Sequence, residues 1–242
     1  MTRKKALIIT TNHTRFDDPK AAPTGLWISE LVHAYDVFEE AGIEMDIVSP
    51  AGGKVSVDGR SLGRFVFDKA SRRRYEDPKF MAMLEDTRSI SDVNWADYDV
   101  IFFAGGHGAM WDFAENEDLH TRTAEVYESG RIVSAVCHGI AALQNVKLST
   151  GKYMIDGRNG TGFAYLDEKI AGVKPLVPYN LEQRLKDRGM HYSKAFLPLA
   201  GHTVVDGNMI TGQNPNSTTA AAKAVVKALE NRSQQQLEMV NA

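Results

Sequence analysis

The apolar positions of the chain change period several times. Lys5 to Thr10 is a short apolar run rich in Ile and reads as a buried first strand. After a polar loop, Leu31, Ala34, Tyr35 and Phe38 recur three and four apart, an amphipathic helix that Gly42 ends. Ile43 to Ser49 predicts a second strand, closed by Pro50 and the Gly52-Gly53 turn. Residues 56–94 are charged and weakly periodic, and predict short helices and loops forming a small cap insertion. Asp99 to Ala104 is a strand running into Gly105-Gly106-His107-Gly108. A helix over about 117–129 comes next, then a strand over 131–136 and a short helix over 181–188 ended by Gly189. Thr203 to Thr211 carries Asp206-Gly207 between β-branched flanks, a hairpin signal. Ser217 caps a last Ala-rich helix predicted to reach about Leu229, and residues 233–242 read as a flexible tail.

Alternation of strand and helix predicts an α/β fold: a three-layer sandwich with a mainly parallel sheet and helices on both faces. The 242 residues suit one enlarged domain over 1–232, with no internal repeat and no Gly/Ser-rich linker. In such sheets the working groups gather beyond the carboxyl ends of the strands. That places the end of the first strand, Gly105 to Gly108 and the segment after Val136 together.

Directly after Val136 stands the only cysteine of the chain. One Cys forms no internal disulfide and no multi-thiolate metal site, so it is either a small buried hydrophobe or a working thiol. Ala135-Val136-Cys137-His138-Gly139 decides between them. The small-x-nucleophile-x-small pattern at a strand-to-helix junction is that of a nucleophile elbow, where the turn is too tight for larger side chains. A helix starting there aims unpaired N–H groups at the sulfur, an arrangement expected to favour the thiolate. Gly105 to Gly108 lacks the G-x-G-x-x-G spacing of a dinucleotide site. Its Gly106, His107 and Gly108 are instead candidates for an oxyanion pocket beside the elbow, the alternative being a plain Gly-rich turn. The histidines at 13, 33, 120, 191 and 202 have no metal-ligand spacing, and neither metal nor cofactor is expected.

Charge adds exclusions. With 28 basic and 31 acidic residues, net −3, nothing points to nucleic acid or an anionic membrane as partner, despite the Arg72-Arg73-Arg74 run. The apolar stretch after the basic N-terminus is Ala6 to Ile9 only, far short of the ~7 residues of a signal-peptide core. A cytoplasmic, reducing location is the expectation.

Four segments in order carry a family resemblance: Thr24 to Glu30, Ala104 to Gly108, Ala135 to Gly139 and Thr211-Gly212-Gln213-Asn214-Pro215. Together they resemble the ThiJ/PfpI superfamily, the group that includes the parkinsonism-associated deglycase. Length and the Thr161-Gly162-Phe163 segment resemble its larger heat-shock-chaperone and glyoxalase III branch. The resemblance implies a flavodoxin-like fold, usually dimeric, with Cys137 as nucleophile and His138 as the adjoining triad histidine. It implies that Glu30 hydrogen-bonds the cysteine and that an acid just after Thr-Gly-Phe completes the triad. Glu168 fits that spacing, with Asp167 the alternative. Ile140 stands where many relatives have Pro.

The Glu30 assignment also has a physical basis. A Glu on a mainly apolar helix face near a thiolate would be protonated, and so could donate to the sulfur and shuttle a proton. A solvated acid like Glu39 or Glu40 is the alternative. The resemblance implies a glutathione-independent glyoxalase that converts methylglyoxal, a small-molecule aldehyde, to lactate. A cysteine hydrolase (peptidase, amidase or deglycase) would use the same thiolate. A holding chaperone or redox sensor is the reading from another class. Trp27, Trp111, Phe163 and Tyr165 are candidate pocket walls.

Overall fold

Strand β1 (Lys5–Ile9) splits its side chains between two cores: Leu7 and Ile9 on one face, Ala6 and Ile8 on the other, all fully buried. Strands buried on both faces belong at the centre of a covered parallel sheet, and β1 lies there in a computed structural model describing residues 3–241. β2 (Glu44–Ser49) and β3 (Arg88–Ser89) lie on one side of β1. β4 (Val100–Phe103), β5 (Ile132–Val136), β9 (Met209–Gly212) and β8 (Thr203–Asp206) lie on the other. The order is 3-2-1-4-5-9-8, with every pairing parallel except β8 with β9. A two-stranded patch pairs β6 (Asn159–Gly160) with β7 (His191–Tyr192).

Helices cover both faces, as expected. α1 (Ile28–Glu40) buries Leu31, Ala34 and Phe38, with Phe38 edge-on to Phe102 of β4. α8 (Thr218–Asn241) packs Ala221, Ala222 and Val225 into the same core. On the opposite face α4 (Ala109–Asp112), α5 (Glu117–Glu128) and α7 (Leu181–Asp187) bury Met110, Leu119, Val126, Leu181 and Leu185. α6 (Tyr165–Ile170) buries Asp167 and Glu168.

Two expectations change. The closing stretch 233–242, read as a flexible tail, continues α8 as helix to Asn241, and Ala242 lies outside the described residues. No Gly or Pro follows Pro215, so nothing in the backbone stops the helix near Leu229. The helix expected after Cys137 is a short 3₁₀ segment, Cys137–Ala142, with no α-helical turn behind it. The 56–94 insertion contains a 3₁₀ turn (Gly59–Leu62), α2 (Lys69–Tyr75), α3 (Pro78–Glu85) and β3. It flanks α1 and contributes Arg60, Phe65, Val66 and Asp68 to a cavity at the strand ends.

Candidate active site

The chain crosses from one side of the sheet to the other between β1 and β4, and the crevice of such a sheet opens at that switch point. A cavity of about 700 Å³ lies there, with Cys137, His138, Gly106 and His107 in its lining. Trp27 and Phe163 also line it; Trp111 and Tyr165, the other predicted walls, do not. Arg60, Asn214 and the apolar Val66, Ile170 and Leu199 are among its other lining residues.

Cys137 has φ +56°, a left-handed conformation that an L side chain adopts at a cost of about 1–2 kcal/mol. β5 runs straight into it, so the strand delivers the thiol to the crevice and the turn removes the backbone at once. The turn closes because Gly139 meets β4: a Cβ there would sit 2.5 Å from the Phe103 carbonyl oxygen. Gly106, at φ +120°, lets its own backbone touch the Gly25–Trp27 segment, where a Cβ would overlap the Gly25 oxygen. Gly108 does not reach the cavity; it packs against Thr11 and His13. Ile140, the departure from the family pattern, is fully buried and packs against Gly162, so the position serves the core.

Sγ of Cys137 lies 3.2 Å from His138 Nδ1, and His138 Nε2 lies 2.6 Å from Glu168 Oε1. The structure therefore brings Glu168 to His138. Asp167 is buried elsewhere, accepting from the Leu199 N–H (3.1 Å) and Gln213 Nε2 (3.0 Å). His107 reaches the second oxygen of Glu168, Nε2 to Oε2 at 3.2 Å, so both carboxylate oxygens are engaged. Burial alone would raise the Glu168 carboxyl, but the charge and hydrogen bonds of the two histidines outweigh it and hold it down at about 2. An ionised carboxylate only accepts, so the His138 proton sits on Nε2 and its Nδ1 faces the thiol as an acceptor. Burial, reinforced by electrostatic opposition from the adjoining His138 ring, brings His107 down to about 4, so it is neutral at physiological pH.

Glu30 is fully buried on the first turn of α1, and its Oε2 accepts the Gly105 N–H at 2.8 Å. Oε1 has no nitrogen or oxygen partner; the neighbour left for that carboxyl is the Cys137 thiol. Burial pushes Glu30 up to about 8, against the lowering effect of the thiol and the Gly105 N–H. Cys137 is itself pushed well above its usual value, first by burial and then by the Glu30 carboxylate. This reverses the sequence expectation of a lowered thiol. The short 3₁₀ segment offers the sulfur only the His138 N–H, too little to offset complete desolvation. The resting pair is thus a neutral thiol beside a neutral carboxyl, with a base already in place at Nδ1.

The N–H groups of Gly106 and His107 meet no acceptor among the described residues and stand at the cavity lining beside Cys137. They are the donors available to an oxyanion there. His107, His138 and Glu168 are the one group of His and acid side chains among the described residues close enough to meet around a metal ion, their atoms within 4.8 Å. Here both carboxylate oxygens instead take imidazole N–H donors.

Sequence reasoning missed Asp58 and Arg60. Asp58 is fully buried and accepts from Thr24 Oγ1 (3.0 Å) and from Arg60 Nε (2.9 Å) and Nη2. The only local signal is Asp58 as N-cap of the Gly59–Leu62 turn, a commonplace role. Among the described residues no helix is long and apolar enough to cross a membrane.

Known proteins resemble this chain over almost its whole length. The sequence pattern of the DJ-1/PfpI family matches residues 24–228. The glutathione-independent glyoxalase HSP31 of Saccharomyces cerevisiae is 30% identical over 238 residues, covering 96% of this chain and 100% of its own. Among solved structures, the Rapid Encystment Protein 24 KDa of Francisella tularensis superposes with a TM-score of 0.88 at 38% identity, covering 93% of this chain and 99% of that one. Glyoxalase III of Candida albicans superposes with a TM-score of 0.85 at 29% identity, covering 93% and 97%.

Proposed function

The chain belongs to the DJ-1/PfpI family, and we propose that it is a glutathione-independent glyoxalase, converting methylglyoxal to lactate with Cys137 as nucleophile. The observation that carries the reading is the continuous Cys137–His138–Glu168 chain, whose first two members line the cavity, with a protonated Glu30 beside the thiol. Relatives of similar length named as glutathione-independent glyoxalases support the substrate class.

The chemistry follows from the proton positions. The thiol proton passes to His138 Nδ1 as Sγ bonds to the aldehyde carbon, and Glu168 stabilises the imidazolium. The new oxyanion is met by the Gly106 and His107 N–H groups and takes the proton back from His138, giving a hemithioacetal. His138, a base again, removes the hydrogen from that same carbon while Glu30 protonates the neighbouring carbonyl oxygen, giving an enediol. His138 returns its proton to the second carbon and Glu30 recovers one from the first hydroxyl, which leaves a lactoyl thioester. Water then adds to the thioester carbon, the C–S bond breaks, and lactate departs as the thiol is restored.

The test is product analysis without glutathione. Lactate should form from methylglyoxal with the wild type and not with Cys137→Ala; equal consumption by both proteins overturns the reading. A cavity of about 700 Å³ is much larger than a three-carbon aldehyde requires, which favours hydrolysis of a larger amide or glycated substrate as the second reading. A chromogenic peptide and a glycated amino acid, assayed beside methylglyoxal and glyoxal, separate the two.

A further inference from the structure

Two histidines share one carboxylate in this site, their ring centroids 4.0 Å apart, and only one of them faces the thiol. Proton transfer from Cys137 is productive only if the charge settles on His138. A competing protonation of His107 would set a second cation on Glu168, in competition with the histidine that needs its charge. Something must distinguish the two rings, and what differs between them is the partner at Nδ1.

His107 Nδ1 faces the guanidinium of Arg60, Nη2 at 3.3 Å. Arginine carries donors only, so Nδ1 is a lone-pair acceptor and the single ring proton of His107 sits on Nε2, pointing at Glu168. The guanidinium is fixed in turn by the buried Asp58, by Thr24 Oγ1 at 3.2 Å and by the Phe16 ring, whose centroid is 4.9 Å away. Phe16 also packs on His107 itself, at 5.8 Å. We propose that Arg60 is a positioning residue: through His107 it fixes the Nε2–H tautomer that grips Glu168, and its charge denies His107 a second proton, so that the proton from Cys137 is confined to His138.

The charged and titratable groups facing His107 are Glu168, His138 and Arg60, with Asp58 behind the arginine. Burial is the largest influence holding His107 neutral, the opposition between the two adjoining rings comes next, and Arg60 acts in the same direction against the pull of Glu168. Removing the guanidinium therefore removes both the tautomer lock and one of the charges that keep the ring neutral. The proposal rests on the reading of Cys137–His138–Glu168 as the catalytic chain. Its central observable, the state of His107, does not depend on which substrate is turned over.

The experiment compares wild type, Arg60→Lys, Arg60→Met and the Asp58→Asn/Arg60→Met pair. The pair removes the buried carboxylate that the methionine variant would leave unpartnered, should that variant fail to fold. Imidazole nitrogen NMR reads the His107 tautomer and titration from pH 4 to 9, and kcat and KM for methylglyoxal are followed over the same range. Wild type should hold the Nε2–H form from neutrality down to about pH 5 and begin to take a second proton only at the acid end, near 4. In folded protein without the guanidinium, His107 should mix tautomers and titrate at higher pH. In parallel kcat should fall about tenfold at neutral pH, with the acid limb of its profile shifted upward and KM nearly unchanged. Arg60→Lys, which keeps a donor and a charge, should recover part of both. An unchanged His107 tautomer and titration in the methionine variants overturns the proposal, as does a loss confined to KM. An altered His107 in a protein whose wild type makes no lactate supports the Arg60 assignment and sinks the glyoxalase reading instead.

Discussion

Glu30→Gln separates folding from chemistry in a way the structure makes quantitative. Glu30 is fully buried, and its carboxyl is raised by that burial from 4.5 to about 8. A carboxyl whose folded value lies above its unfolded one favours the fold while protonated. Its contribution is complete below about 4.5 and is lost as pH rises toward about 8. At about 1.4 kcal/mol per pH unit, that interval corresponds to about 5 kcal/mol. Glutamine imitates the neutral carboxyl, keeps an oxygen for the Gly105 N–H and cannot ionise. Urea denaturation of both proteins between pH 5 and 9 should give similar stabilities at the acid end. The variant should then gain on the wild type through neutrality and lead by several kcal/mol above pH 8. Turnover should fall over the same range, because the amide cannot exchange the proton assigned to Glu30. Stability curves that run parallel from pH 5 to 9 would refute the argument, since Glu30 would then titrate alike in the folded and unfolded chains.

The thiol, its acid and its turns can be probed in the same way. Glu168→Gln should lower kcat by about 10²-fold or more with intact circular dichroism, while Asp167→Asn, which disturbs only the Leu199 and Gln213 anchors, should leave kcat within a few-fold and cost about 1–2 kcal/mol of stability by thermal melt. Both Cys137→Ala and Cys137→Gly should be inactive, but glycine should be the more stable by about 1 kcal/mol because φ +56° suits it. An alanine at least as stable in urea would show the turn relaxed. Gly106→Ala drives a Cβ into the Gly25 oxygen at φ +120°; a loss of more than about 3 kcal/mol, or no soluble protein, is the expected result.

The sheet was legible because its central strands are covered on both faces. Ala6 to Ile9 and Val100 to Phe103 are continuous apolar runs and Ile132 to Val136 is one broken only by Ser134, a pattern no surface helix imitates. The elbow was legible for a related reason: a strand that ends in a nucleophile between small residues has few other uses. Glu168 and Asp167 could not be separated by spacing, since both are buried and the rotation of α6 alone decides which one meets His138. Arg60 and Asp58 were invisible because a 3₁₀ turn in a charged insertion has no period for the eye to follow. The protonation of the thiol was misjudged because spacing cannot report how much helix continues past the turn, or how completely the site excludes water.

The backbone contacts at Gly139 and Gly106 also divide the cavity into two kinds of wall. At those points main chain lies against main chain, and neither position admits even a methyl group without displacing the end of β4 or the segment that leads into α1. The floor that holds the thiol is closed to enlargement. Phe65, Val66, Ile170 and Leu199 at the mouth are exposed side chains on loops and short helices, free to change in size and polarity without touching the sheet. A change in the molecules the cavity admits would therefore be written at the rim, over a floor whose shape is set by glycine.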